Sequence, residues 1–368
     1  MKRNDMKRLT MIAAILLATA FMTSCTKEKP KPEEPVTPAS QQVTATQSTY
    51  SAGAAQKPRF MASLDGKVYV TCGYPPAILR IDTASGVIDR ILKFNTDYDL
   101  EGIAIVGGKL FAASSWAYDN ASNIMYDSRI FVVDISTFSL SDVITVPADP
   151  QRIKAIDSSH VLVSCGNGYN VPTTSVLIDA ATLSATELGR EMTAFDVNNG
   201  LVYTYSGGYG TQATFYRLDP LNNTTESILD GCGINYPYSI NCIGSRIYVT
   251  TQDIYGGAGD VVCFAANGTQ QWRCEAGMLP SKVVELGDGT AYVLNEGNWG
   301  ANEASLSRVD MTTGNITNNV FGTANGRDLG DVAQDLVVYG TKAYVTVSFS
   351  NTVEVVSIID NTSRQIQL

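Results

Sequence analysis

GKVYVT (66–71), GKLFAAS (108–114), SHVLVS (159–164), GLVYTYS (200–206), SRIYVTT (245–251), GTAYVLN (289–295) and TKAYVTV (341–347) are variants of one segment that occurs seven times. Each opens on a Gly or small polar turn and then alternates around an aromatic or Leu centre: Tyr69, Phe111, Leu162, Tyr203, Tyr248, Tyr292 and Tyr344. The centres lie 42, 51, 41, 45, 44 and 52 residues apart. Period-2 alternation rich in Val, Ile and Tyr marks β-strands, and a repeat of roughly 45 residues in an all-β chain is the spacing of propeller blades.

A second marker trails the first: RIDTASG at Asp82, FVVDIST at Asp134, VLIDAAT at Asp179, YRLDPLN at Asp219, SRVDMTTG at Asp310 and SIIDNTS at Asp360. The fifth unit has CFAANG (263–268) and no Asp. Asp, Asn and Gly favour turns through local side-chain bonds, so these residues are expected as structural connections between the third and fourth strands. The sequence predicts an all-β fold over 57–368, a seven-bladed β-propeller of four-stranded blades, in which radial repetition protects strand edges and leaves a rim of loops free.

Ahead of the repeats, MKRNDMKRLTMIAAILLATAFMTSC (1–25) sets four cations before an apolar run, Leu9 to Met22, and then small residues and Cys25. That run is shorter than the ~20 residues of a membrane span, and the pattern is that of a lipoprotein signal peptide over 1–24 with Cys25 as the lipidated residue. Residues 25–56, with Pro30, Pro32, Pro35 and Pro38 among charged and small residues, are expected as a flexible linker. The residues after Cys25 mix Lys and Glu and leave the membrane leaflet open.

The 368 residues carry a formal charge of -10, are 9 % aromatic and contain one histidine. The acidic balance offers no basic surface for phosphates, which argues against nucleic acid as a partner. A single histidine removes most triads and zinc sites, and no GxxxxGK[ST], HExxH, GxSxG or CxxC is present. His160 falls at the start of a second strand, away from the loop rim, and is expected as a turn residue. Asp253, Glu296 and Glu303 fall in rim loops, where a carboxylate pair could in principle serve a glycosidase or lyase. No catalytic residue, catalytic cofactor or metal is assigned. Besides Cys25 there are Cys72, Cys165, Cys232, Cys242, Cys263 and Cys274; the spacing dictates no disulfide pairing, Cys263 and Cys274 could pair across a hairpin, and Cys72 and Cys165 are expected as small packed residues.

The loops after the second strands read CGYPP (Tyr74), SSWAYDN (Trp116, Tyr118), CGNGYN (Tyr169), SGGYG (Tyr209), QDIYGG (Tyr255), NEGNWG (Asn298, Trp299) and SFSN (Phe349). Every one carries an aromatic residue beside Gly, Asn or Ser, which predicts an exposed aromatic rim. Connections between blades add Arg59, Asp97, Tyr98, Asp99, Glu101, Arg152, Tyr236, Tyr238, Lys282, Asn325, Arg327, Asp331 and Gln334 around the channel mouth. Such a face suits a large flat ligand with amide or hydroxyl edges.

VLNEGNWGANEASLSRVD (293–310), TANGRDLGDVAQDLVVYGTKAYVTV (323–347), SNTVEVV (350–356) and KPRFMASLDGKVYVTC (57–72) resemble the YncE-type propeller lipoproteins of Bacteroides-like bacteria, and within them the cobalamin-capturing BtuG-like group. The resemblance implies a lipid-anchored, outer-membrane surface protein that binds a corrinoid on the rim and serves a TonB-dependent transporter. The NEGNWG unit, which opens the domain in those relatives, is the sixth here, so the order resembles a circular permutation. Ring closure then falls to packing between whole blades, or to a strand added by residues 42–50. Two other functions remain open: a scaffold for a glycan or protein partner, and the carboxylate-based enzyme.

Overall fold

In the computed structural model, which describes residues 42–166, 170–207, 212–253 and 255–368, the seven repeated segments are all second strands of blades. The chain forms a seven-bladed β-propeller whose four-stranded antiparallel blades span 56–94, 100–145, 150–187, 195–228, 237–278, 280–317 and 333–367, each with its strands in chain order from channel to periphery. The second strands sit mid-blade, and six of their seven centres are buried: Phe111, Leu162, Tyr248, Tyr292 and Tyr344 expose nothing, Tyr69 exposes 2 %, and Tyr203 alone is half-buried. Seven apolar clusters hold the ring, one between each neighbouring pair of blades. A fully buried side chain of this size contributes about 1.5–3 kcal/mol, which makes these seven seams the main source of stability.

The Asp markers connect the third and fourth strands as structural turns. Asp134 accepts from Thr137 N–H at 2.9 Å, Asp179 from Thr182 N–H at 2.7 Å and Asp310 from Thr313 N–H at 2.7 Å. Gly86, Phe138, Leu183, Asn223 and Gly314, each four residues after its Asp, adopt the left-handed conformation that lets the hairpin close. In the last blade the register differs from the expectation: Ser357, opposite Lys342, occupies the Asp position, while Asp360 caps the N–H of Thr362. His160 bonds Asp157 through Nδ1 at 3.0 Å on this same lower face and braces a turn.

The folded chain begins earlier than position 57. The compact unit runs from Val43, and Ala45–Ser48 pairs with Val87–Phe94 as a fifth, outermost strand of the first blade. The VTAT alternation explains the difference, since Val43 and Ala45 pack against the cluster between the first two blades. Residues 1–41, and Cys25 with them, lie outside the described residues.

Closure uses no shared blade. Lys57 N–H donates to Asn351 Oδ1 (2.8 Å), Met61 N–H to Asp335 Oδ2 (2.8 Å) and Thr346 Oγ1 to the Arg59 carbonyl (2.6 Å), all between the last blade and the first. Leu368, 5 % exposed, packs with Ala55 and Val70 in the same seam. The six described cysteines are free thiols. Cys263 faces Trp272 and Cys274 faces Val261, so the hairpin pair is not formed; Cys72 and Cys165 pack in apolar seams, where burial pushes the Cys165 thiol up to about 12.

Candidate ligand face

The first strands turn their side chains into the channel through β-bulges at Pro58/Met61, Pro150/Arg152, Pro237/Ser239, Pro280/Lys282 and Ala333/Asp335. Second-strand hydroxyls fill the irregular positions: Thr71, Thr250 and Thr346 each accept a first-strand N–H at 3.0 Å, from Phe60, Ser239 and Asp335. Just ahead of four of these bulges Lys57, Asp149, Leu279 and Val332 hold φ between +50° and +60°. For the β-branched Val332 this is costly, on the order of 1–3 kcal/mol, and such strain gathers where the surroundings over-determine a site.

The rim loops lie above. Tyr74 is 71 % exposed, Tyr118 61 %, Tyr255 91 %, Trp299 76 % and Phe349 48 %. Trp116, half-buried, meets Tyr118 edge to face at 5.2 Å and lies under the Lys57 ammonium, 4.5 Å from the ring centre. Trp299 and Phe349, from successive blades, stand 5.9 Å apart. The loops are fixed from beneath. Asp253 accepts from Tyr255 N–H (2.9 Å) and Gly257 N–H (3.1 Å), Asp331 takes Gly300 N–H at 3.0 Å, and Asn298 donates to Glu303 at 3.1 Å. At Gly297, φ is +78° and any Cβ would stand 2.6 Å from Ala304 N, so only glycine permits this turn. Tyr169 and Tyr209 lie outside the described residues.

The polar residues expected around the mouth separate into three groups. Arg59, Asp99, Glu101, Lys282 and Gln334 do converge there: Asp99 pairs with Lys57, which is not among the expected residues, Arg59 forks onto Glu101 and reaches Gln334 Oε1 at 2.7 Å, and Lys282 meets Asp335 at 2.5 Å. Burial opposes the Arg59 charge and the Glu101 carboxylate beside it more than restores it, holding its pKa above the usual value. Tyr238 and Arg152 turn inward instead of lining the rim. Tyr238 donates to Glu296 at 2.6 Å, and burial pushes both groups up. Arg152 lies 5.9 Å from the Phe60 ring centre, and Tyr236 is half-buried with its carbonyl accepting from Gln252 N–H. Asn325 and Arg327 leave the mouth altogether, because the connection between the last two blades contains a short helix, α1 (Val320–Asn325). Asn325 bonds the Asn361 carbonyl of a lower turn, and Arg327 pairs at 2.7 Å with Glu354 on a third strand.

Sequence reasoning missed Lys154, which pairs with Asp196 at 2.5 Å inside the channel. The signal was present: Lys57–Asp99, Arg59–Glu101 and Lys154–Asp196 are each 42 residues apart, opposite charges at equivalent places in consecutive blades. The carboxylates Asp253, Glu296 and Glu303 are all engaged in the bonds above. Among the described residues no three His, Cys, Asp or Glu side chains cluster as metal ligands. The face therefore offers ring surfaces and hydrogen bonds above an ion-paired channel.

No family profile matches the chain, and no curated protein matches it. Solved propellers do. Hydrazine synthase of Kuenenia stuttgartiensis aligns at a TM-score of 0.61 and 11 % identity over 85 % of this chain and 98 % of that one. Virginiamycin B lyase of Staphylococcus aureus aligns at 0.57 and 12 % identity, covering 83 % and 96 %. The propeller domain of Cps50 (Swd1) from Myceliophteria thermophila aligns at 0.57 and 9 % identity, covering 88 % and 100 %. At such identities the likeness establishes the fold.

Proposed function

We propose that this protein is a binding propeller: a lipid-anchored surface protein that captures a corrinoid on its aromatic rim and passes it to a TonB-dependent transporter of the outer membrane. The observation that carries the reading is the set of five rings, 48–91 % exposed, on one face. Folding buries large apolar side chains where it can, and a rimmed apolar surface of this kind marks an interaction site. Rings suit the faces of a flat macrocycle, and the Asn298 carbonyl and the loop backbone are the polar groups beside them that this reading assigns to its amide edges.

The lyase among the neighbours is inactive when a histidine is replaced by alanine. This chain has one histidine, His160, braced against Asp157 at a lower-face turn, which favours binding over that chemistry. Calorimetric titration with cobalamin and cobinamide tests the reading. Saturable binding to either supports it; absence of heat and of co-migration with both overturns it. Labelling with palmitate, lost in Cys25→Ala, tests the anchor.

A further inference from the structure

Below the rim the channel holds a cavity of about 350 Å3, lined by the first strands of all seven blades and by Glu296. Its volume lies in the range of small-molecule sites, roughly 300–1,000 Å3. Most of its charges cancel: Lys154 is paired with Asp196 and Lys282 with Asp335, with Arg59 on Glu101 at the mouth. Arg152 is the exception. Among the described residues its guanidinium makes no hydrogen bond and no ion pair, and its contact is with the Phe60 ring. A guanidinium carries five donors in a planar fork, and leaving them half-buried without an acceptor is unfavourable.

Gln334 lines the same cavity, and its carbonyl is taken by Arg59. Its NH2 group makes no hydrogen bond among the described residues, so a second donor there lacks an acceptor. Glu296, the remaining carboxyl, accepts from Tyr238 and acts on Arg152 through space, without a direct hydrogen bond or ion pair to it. The other walls include Phe60, Met61, Ile103, Ile153, Phe195 and Ile240.

We propose that the channel is a second binding site, distinct from the rim, that takes a small organic carboxylate on Arg152 and Gln334 with its hydrocarbon body against the apolar walls. The fork of Arg152 matches two carboxylate oxygens, which supply the direct acceptors that its donors and the Gln334 amide lack. A phosphate dianion brings twice a carboxylate's charge into a cavity already walled by Asp196, Asp335 and Glu296, and no apolar body to fill it.

Titration of the whole protein with benzoate, acetate and inorganic phosphate tests this. Benzoate binds more tightly than acetate, and phosphate does not compete with it. Arg152→Gln weakens benzoate at least tenfold, Arg152→Lys weakens it less, and Trp299→Ala leaves it unchanged. In the unmutated protein an arginine Nε–H resonance shifts on adding benzoate, a readout that survives if the Arg152 variants fold poorly. Absence of benzoate binding, equal binding by folded Arg152→Gln, a still arginine spectrum, or displacement by phosphate overturns the proposal. Failure here is separable from failure of the rim reading, because corrinoid binding is measured on the unmutated protein and reads Trp299, not Arg152.

Discussion

The turns on the lower face and the loops on the upper face come from the same seven repeats, yet only the lower ones are alike. Third and fourth strands are joined by four or five residues in every blade, whereas second and third strands are joined by anything from two residues (75–76) to nine (296–304). The lower turns have one task, to reverse the chain, and an Asp that caps its own N–H groups performs it locally. The upper loops share only an aromatic residue and a position around the channel mouth. Where a repeated scaffold keeps one end uniform and lets the other vary, the varied end carries recognition.

The comparison predicts that stability resides in the strands, seams and lower turns, and its hardest test is the channel mouth, where the upper half also holds buried charge. Glu101 is 1 % exposed and takes the Arg59 fork through both oxygens. Glu101→Gln leaves that guanidinium short of its counter-charge and should lower unfolding stability by about 3–5 kcal/mol, read from denaturant midpoints. A loss below about 1 kcal/mol would mean the pair is solvated and the mouth is not a structural element.

How much of this was legible differs between the two faces for the same reason. Blade number, strand order and the Asp turns follow from local chemistry repeated in register, and six of the seven lower turns fall where the spacing puts them. The exception, Asp360, stands three places beyond the blade position that Ser357 fills, because a turn motif reads the same wherever a hairpin reverses. The described rim aromatics were legible because each stands within four residues of the end of a second strand, Tyr74, Trp116 and Tyr118 on the strand itself and Tyr255, Trp299 and Phe349 just beyond it. Arg327 and Asn325 were not, since a 15-residue connection (318–332) was read as a loop and folds through α1 toward a third strand and a lower turn. Arg152 and Tyr238 were placed at the right height but on the wrong side, because a bulge changes which side chains face the channel and leaves no mark in the alternation.

On the rim the effect should fall on binding alone. Trp299→Ala removes an exposed ring and should cost about 1–3 kcal/mol of corrinoid affinity, with the melting temperature unchanged. Because Phe349 stands 5.9 Å away, the two rings form one surface. The Trp299→Ala/Phe349→Ala double variant should fall short of additivity by about 0.5–1.5 kcal/mol. Additive losses would break the pair into separate contacts.

The smallest effect is the most diagnostic, because the two faces should respond to pH with opposite sign. On the lower face the Ser136 hydroxyl and the N–H groups of Thr182 and Thr313 hold the Asp134, Asp179 and Asp310 carboxyls below the usual range. Each binds its proton less readily folded than unfolded, so its contribution is complete above the ordinary carboxylate pKa of about 4 and is lost as pH falls through the lower folded value. Glu296, pushed up by burial, has the reverse linkage: its contribution is complete below the ordinary Glu pKa and is lost as pH rises through the raised folded value. Replacing the three aspartates by Asn keeps acceptors in the turns and removes the titration, so stability should decline less steeply below pH 4 while corrinoid binding at pH 7 is unchanged. Glu296→Gln should flatten the opposite limb, measured as denaturant midpoints at pH 5 and 7. These turn carboxylates are half-exposed and screened, so the slope, not the midpoint at neutral pH, is where the lower face declares itself. An unchanged acid limb in the triple Asn variant would show that the turns hold their shape without the charge, leaving backbone conformation at the left-handed positions Phe138, Leu183 and Gly314 to account for their uniformity.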